Sequence, residues 1–189
     1  MRSVSRINSL FLILFCLGSN GAGAQTRDRP KANAAPPVAA SPERTAASFG
    51  DWVLRCEVTA APAKRICEVA QIIAPQGQTN PIAQVALGKL AASEPNRLTV
   101  MLTPNITIAA KPQIAVAKSG GMSVELSWQS CTPGGCFATA SITDDTVRIF
   151  SAQTESGRVL FRDAAGHDVA IPLSFRGLAQ ALAALAKEI

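Results

Sequence analysis

Tyrosine is absent, histidine occurs once, and aromatic residues make up only 5% of the 189-residue chain. No group of aromatics stands beside lysine or arginine, so the stacking and phosphate-neutralising surface of a single-strand nucleic-acid binder is missing. His167 is the sole imidazole available to a hydrolase, and no Gly-x-Ser-x-Gly elbow offers it a nucleophile. No Cys-x-x-Cys pair exists, which removes both the activated thiol of a thiol-disulfide oxidoreductase and the short ligand spacing of common zinc knuckles. After Leu17 no apolar run is long enough to cross roughly 30 Å of hydrocarbon.

Positive charge is present but unevenly placed. The formal charge is +5, with 18 basic and 13 acidic residues, and six of the basic and two of the acidic ones precede residue 46. The remainder therefore holds 12 against 11 and is nearly neutral, which argues against a nucleic-acid partner for the folded part. Arg2 and Arg6 lead into the apolar run Leu10 to Leu17, and small residues follow up to Ala22-Gly23-Ala24. This is the pattern of a cleavable secretory signal, with cleavage expected between Ala24 and Gln25. Phe15 stands before Cys16 where a lipoprotein signal needs a small residue, so a lipid anchor is not expected. Cleavage would leave 165 of the 189 residues, enough for one domain with a real core, in the periplasm or the medium.

Of five cysteines, Cys16 falls in the signal, leaving Cys56, Cys67, Cys131 and Cys136. An even set in an exported chain implies disulfides, and proximity in sequence favours Cys56–Cys67 and Cys131–Cys136 among the three connectivities. Residues 25 to 47 hold Pro30, Pro36, Pro37 and Pro42 among alanines and charges, and are expected to be a flexible linker ahead of a domain spanning 48 to 189.

Within that domain short β-like runs alternate with turn residues. They cover Phe49 to Cys56, Ile66 to Ile73, Ile82 to Leu90, Arg97 to Leu102, Ile106 to Ile108, Met122 to Gln129, Phe137 to Ile142, Thr146 to Ser151, Arg158 to Arg162 and His167 to Leu173. Pro133-Gly134-Gly135 supplies a turn between two of them. Only the last segment has helical spacing, with Leu178, Ala181, Leu182, Leu185 and Ile189 on one face and Ser174 as the expected N-cap. It has no Lys/Arg stripe for a membrane surface and is expected to dock on its own domain. The fold class is mainly β, an antiparallel β-sandwich with two disulfides and a C-terminal helix; a barrel is the alternative.

No catalytic, cofactor-binding or metal-ligating set emerges. His167 with Asp163 or Asp168 and Ser174 is the one combination from which a hydrolase could be built. Asp144-Asp145 are adjacent and would point to opposite faces of a strand, which suits a turn before Thr146. Trp52 and Trp128, close before Cys56 and Cys131, are expected in the core against the disulfides.

The order of Gly50-Asp51-Trp52, Cys56, Cys67, Gln71, Cys131, Gly135-Cys136-Phe137-Ala138, Gly157, Phe161, Gly166 and Pro172-Leu173-Ser174-Phe175-Arg176-Gly177-Leu178 with Ala181 resembles the invasion-associated locus B family of exported bacterial proteins. The resemblance covers roughly residues 49 to 189. It implies an immunoglobulin-like β-sandwich of the periplasm or the medium in Gram-negative bacteria. The founding member is linked to invasion of host red cells, while many relatives occur in bacteria that infect nothing. The resemblance carries no catalytic residue. The expected function is non-enzymatic, through a protein or envelope partner. The alternatives are a hydrolase using His167 and Ser174, or a carrier with a small ligand inside the sandwich.

Overall fold

Alternation of apolar and polar residues dictates the larger sheet. The computed structural model describes residues 44–60, 62–75, 77–116 and 121–188; the expected signal and the linker up to residue 43 lie outside them. Strand β2 (Trp52–Val58) turns Trp52, Leu54 and Cys56 inward, and β3 (Arg65–Ile73) does the same with Cys67, Val69 and Gln71. β4 (Ala83–Gly88) and β5 (Asn96–Leu102) continue the pattern with Ala83, Val85, Leu87, Leu98, Val100 and Leu102. Each of the larger side chains contributes about 1.5–3 kcal/mol by leaving water. The expected linker ends earlier than residue 47, because Arg44 to Ala47 belong to β1 (Arg44–Phe49), an edge strand paired along its whole length with β2.

A second, four-stranded sheet consists of β6 (Gln113–Ala115), β7 (Ser123–Glu125), β10 (Gly157–Arg162) and β11 (Asp168–Leu173), in the order β11-β10-β6-β7. The larger sheet runs β1-β2-β3-β4-β5-β9-β8, completed by β8 (Ser127–Thr132) and β9 (Gly135–Ile142). All pairings among these strands are antiparallel. The fold is therefore mainly β, with two antiparallel sheets of seven and four strands, where a constant-type immunoglobulin sandwich has four and three.

Several expected strands turn out differently: Phe49 to Cys56 is broken by a turn at Gly50-Asp51 between β1 and β2, and Ile106 to Ile108 makes only an isolated bridge of Ile106 to Asp163. Met122 to Gln129 is split at Leu126, which is fully buried and whose N–H donates to Pro112 O at 2.9 Å; β7 before it joins the small sheet and β8 after it the large one. Thr146 to Ser151 is not a strand but the body of helix α1 (Asp144–Ser151). Thr143 caps it by accepting from Thr146 N, Asp144 and Asp145 occupy its first turn where carboxylates suit the helix dipole, and Phe150 is the residue it buries. Val147 and Ile149 are only partly buried.

The C-terminal helix α2 (Leu178–Leu185) starts later than expected, with Gly177 rather than Ser174 at its N-cap. It buries Leu178, Ala181 and Leu185 against β1, β2 and β3, in one hydrophobic cluster that also contains residues of both sheets and Phe150. No described helix is long and apolar enough to cross a membrane.

Candidate functional site

The segment before α2 is fixed to the β1–β2 turn by a polar lock. Ser174 Oγ donates to Asp51 Oδ2 at 2.6 Å and accepts from Arg176 N at 3.1 Å, and the Arg176 guanidinium binds the same carboxylate with two nitrogens. Gln71, buried on β3, acts as a side-chain substitute for a strand partner. Its Oε1 accepts from Ser174 N at 3.0 Å, and its Nε2 donates to Ser174 O at 3.1 Å. The Trp52 indole N–H reaches the same carbonyl at 2.9 Å, so no polar atom of this buried tryptophan is left without a partner. Asp51 N closes the lock on Arg176 O at 3.1 Å.

Glycine makes the approach possible. Gly50 and Gly177 have φ of 58° and 89°, and a Cβ on them would lie 2.6 Å from Arg176 O and 2.0 Å from Phe49 O respectively. The Arg176 hydrogen bonds, then that of Ser174, hold the Asp51 carboxyl below its ordinary value, and Asp51 in turn raises Arg176. Ser174 therefore serves as a tie between two chain segments.

The structure does not bring His167 and Ser174 together. They stand at opposite ends of β11, seven residues apart along an extended strand, which places their Cα atoms roughly 20 Å from each other. His167 is exposed and faces Asp163, with Nδ1 3.0 Å from Oδ2. Asp163 also accepts from His167 N, and this backbone bond is the main reason its carboxyl is held below the usual range. Asp168 pairs with Arg162 at 2.8 Å. The charge-relay alternative built on His167 and Ser174 is thereby overturned on geometry.

Trp52 is 1% exposed, whereas Trp128 is only half-buried and its indole donates to Ala110 O at 2.9 Å. Glu188 has a carboxylate oxygen within 4.8 Å of the sulfurs of Cys56 and Cys67, but those sulfurs are bonded to each other and are not thiolate ligands. A hollow of about 490 Å³ lies on the outer face of the small sheet, where Lys111–Glu125 and Arg162–Asp168 ion pairs flank Leu160 and Ala170.

The outer face of the large sheet differs from a solvent-facing polar surface. Register places Ile72, Gln84, Met101 and Phe137 in one row across four strands, and Val53, Ala70, Ala86, Thr99 and Thr139 in the next. Ile72 is 62% exposed, and Met101, Phe137 and Val53 are partly so. A third row carries the Arg55–Glu68 ion pair, Gly88 and Arg97. Ile72 and Ile73 in succession were the available sign that β3 is apolar on both faces. The Met101 and Phe137 contributions become visible only when the register is known. The Asp51–Arg176 bond also escaped direct reading, since 125 residues separate its partners.

An antiparallel two-sheet domain with two stapled hairpins and a C-terminal helix locked to its first turn defines a class of disulfide-bonded β protein. The model of the invasion associated locus B (IalB) protein family matches residues 52–186, and the chain belongs to that family. The crystal structure of invasion associated protein B from Bartonella henselae superposes with a TM-score of 0.66 at 15% identity, covering 76% of this chain and 96% of that one. At that identity the likeness speaks for the fold. No curated protein matches the chain.

Proposed function

We propose that this IalB-family protein is an exported, non-enzymatic binding module whose two sheets form a sandwich, and that it engages a protein partner through the outer face of its seven-stranded sheet. The observation that carries this reading is the Ile72–Met101–Phe137 row. Its apolar residues, interrupted by Gln84 between Ile72 and Met101, lie on a regular sheet face left open while the described helices spend their buried residues on the other side. Arg97 is exposed on the same face, two rows from the strip, and has no carboxylate partner among the described residues, so the surface suits a protein that presents an apolar patch with an acidic residue at its margin. Export rests on the Arg2/Arg6, Leu10–Leu17 and Ala22-Gly23-Ala24 pattern, and it fits the pair of disulfides. Participation in host invasion would be one use of such a surface.

The test is crosslinking in cells with the wild-type chain, with Ile72→Asp, and with Leu160→Asp on the small sheet as the control. The expected result is one adduct lost with Ile72→Asp and kept with Leu160→Asp. An adduct that survives Ile72→Asp and disappears with Leu160→Asp would move the site to the small sheet.

A further inference from the structure

Both disulfides join directly opposed residues of neighbouring antiparallel strands, Cys56 with Cys67 and Cys131 with Cys136. Their surroundings differ. Cys56 and Cys67 are 4% and 6% exposed and belong to the hydrophobic cluster, with β1 paired outside β2, α2 packed over β1–β3, and Glu188 held near the sulfurs by its ion pair with Arg65. Cys136 is buried, but Cys131 is exposed on β8, the strand that ends the sheet.

We infer that Cys131–Cys136 is a thiol-disulfide exchange site, open in the folded protein to a dithiol reductant of the cell envelope, while Cys56–Cys67 is closed to it. Displacement at sulfur runs in line with the bond being broken, and the bond joins buried Cys136 on β9 to exposed Cys131 on β8, the strand at the end of the sheet. A thiolate from solvent therefore reaches Cys131 Sγ with Cys136 as the leaving group; attack on Cys136 would have to come from inside the protein. The reductant's thiolate forms a mixed disulfide with Cys131 while Cys136 departs as a thiolate and takes a proton. The reductant's second thiol, losing its proton, then attacks its own sulfur in the mixed disulfide and releases Cys131 as a thiolate that is protonated. The protein gains two electrons and two protons and ends with two thiols; the dithiol ends as a disulfide.

Opening the bond has a confined effect. β8 pairs in its sheet with β9 alone and exposes every residue except half-buried Trp128, whereas β9 is also held by β5. The hairpin tip around Thr132 to Gly135 is released while the core stays assembled. Attack on Cys56–Cys67 instead requires α2 or the sheet to open first.

Native reduction followed by mass-tag alkylation and peptide mapping tests this. The mature chain is incubated with graded dithiothreitol while near-UV circular dichroism follows the fold. Cys131 and Cys136 are expected to be tagged at least about tenfold faster than Cys56 and Cys67, with the folded signal retained. In glutathione, an early acid quench should find the adduct on Cys131. Equal rates for the two pairs, earlier tagging of Cys56 and Cys67, tagging only after the folded signal is lost, or an adduct on Cys136 would overturn the inference.

Discussion

The two ends of the seven-stranded sheet carry the same kind of staple in opposite surroundings. At one end, Cys56–Cys67 is buried, β1 lies outside it, α2 covers it, and the Asp51–Ser174–Arg176 lock ties α2 to the strand turn. At the other, Cys131–Cys136 closes a hairpin whose outer strand is exposed almost throughout. A disulfide's meaning thus depends less on the bond than on what packs over it. The covered end is built for stability. The open end leaves room for exchange, and between the two ends lies the uncovered apolar row that the binding proposal uses.

Trp52→Ala should be the most damaging of the simple changes, because it opens a cavity beneath the lock and strips a hydrogen bond from Ser174 O. Chemical denaturation is expected to show a loss of about 3–5 kcal/mol. Gly177→Ala should cost about 3 kcal/mol or more by the same measurement, combining a left-handed backbone with a Cβ driven into Phe49 O. Removing Cys56–Cys67 as a double alanine variant should cost about 3 kcal/mol and removing Cys131–Cys136 about 2 kcal/mol from chain entropy alone, with the larger added packing loss at the first, where both cysteines are buried. Equal losses beyond the entropic difference would erase the contrast between the ends.

Smaller effects sharpen it further. The Asp51 carboxyl is held below its ordinary value of 3.8, so it contributes stability that is fully present above that pH and is lost as pH falls through the lower folded value. Asp51→Asn should therefore be less stable than wild type near neutrality, and the gap should close on acidification through that range in a pH series of denaturation curves. Ile72→Asp on the outer face should change stability by no more than about 0.5 kcal/mol while removing the crosslinked partner.

Much of the inner face was legible in the sequence, because Trp52, Leu54 and Cys56 alternate cleanly and strands bury residues with period two. The last helix was legible for a similar reason at helical spacing, but its start was not. Ser174 has the composition of a cap, yet its hydroxyl is drawn away to Asp51, 123 residues distant. Alternation also misled at two places. Leu126 continues the period of its neighbours while the chain changes sheets there, and Val147 and Ile149 mimic a strand inside a helix whose cap is Thr143. For the candidate site, the paired cysteines were readable from spacing. The row was not, since Ile72, Met101 and Phe137 come into line, with Gln84 between the first two, only through the register of four strands.

Native-state hydrogen exchange of the oxidised chain tests the contrast most directly. Amides of β2 and β3 should exchange only with global unfolding, while those of Ser130 to Thr132 in β8 exchange through local opening with much weaker protection. Equal protection of Ser130 to Thr132 and of the β2–β3 amides would contradict the account.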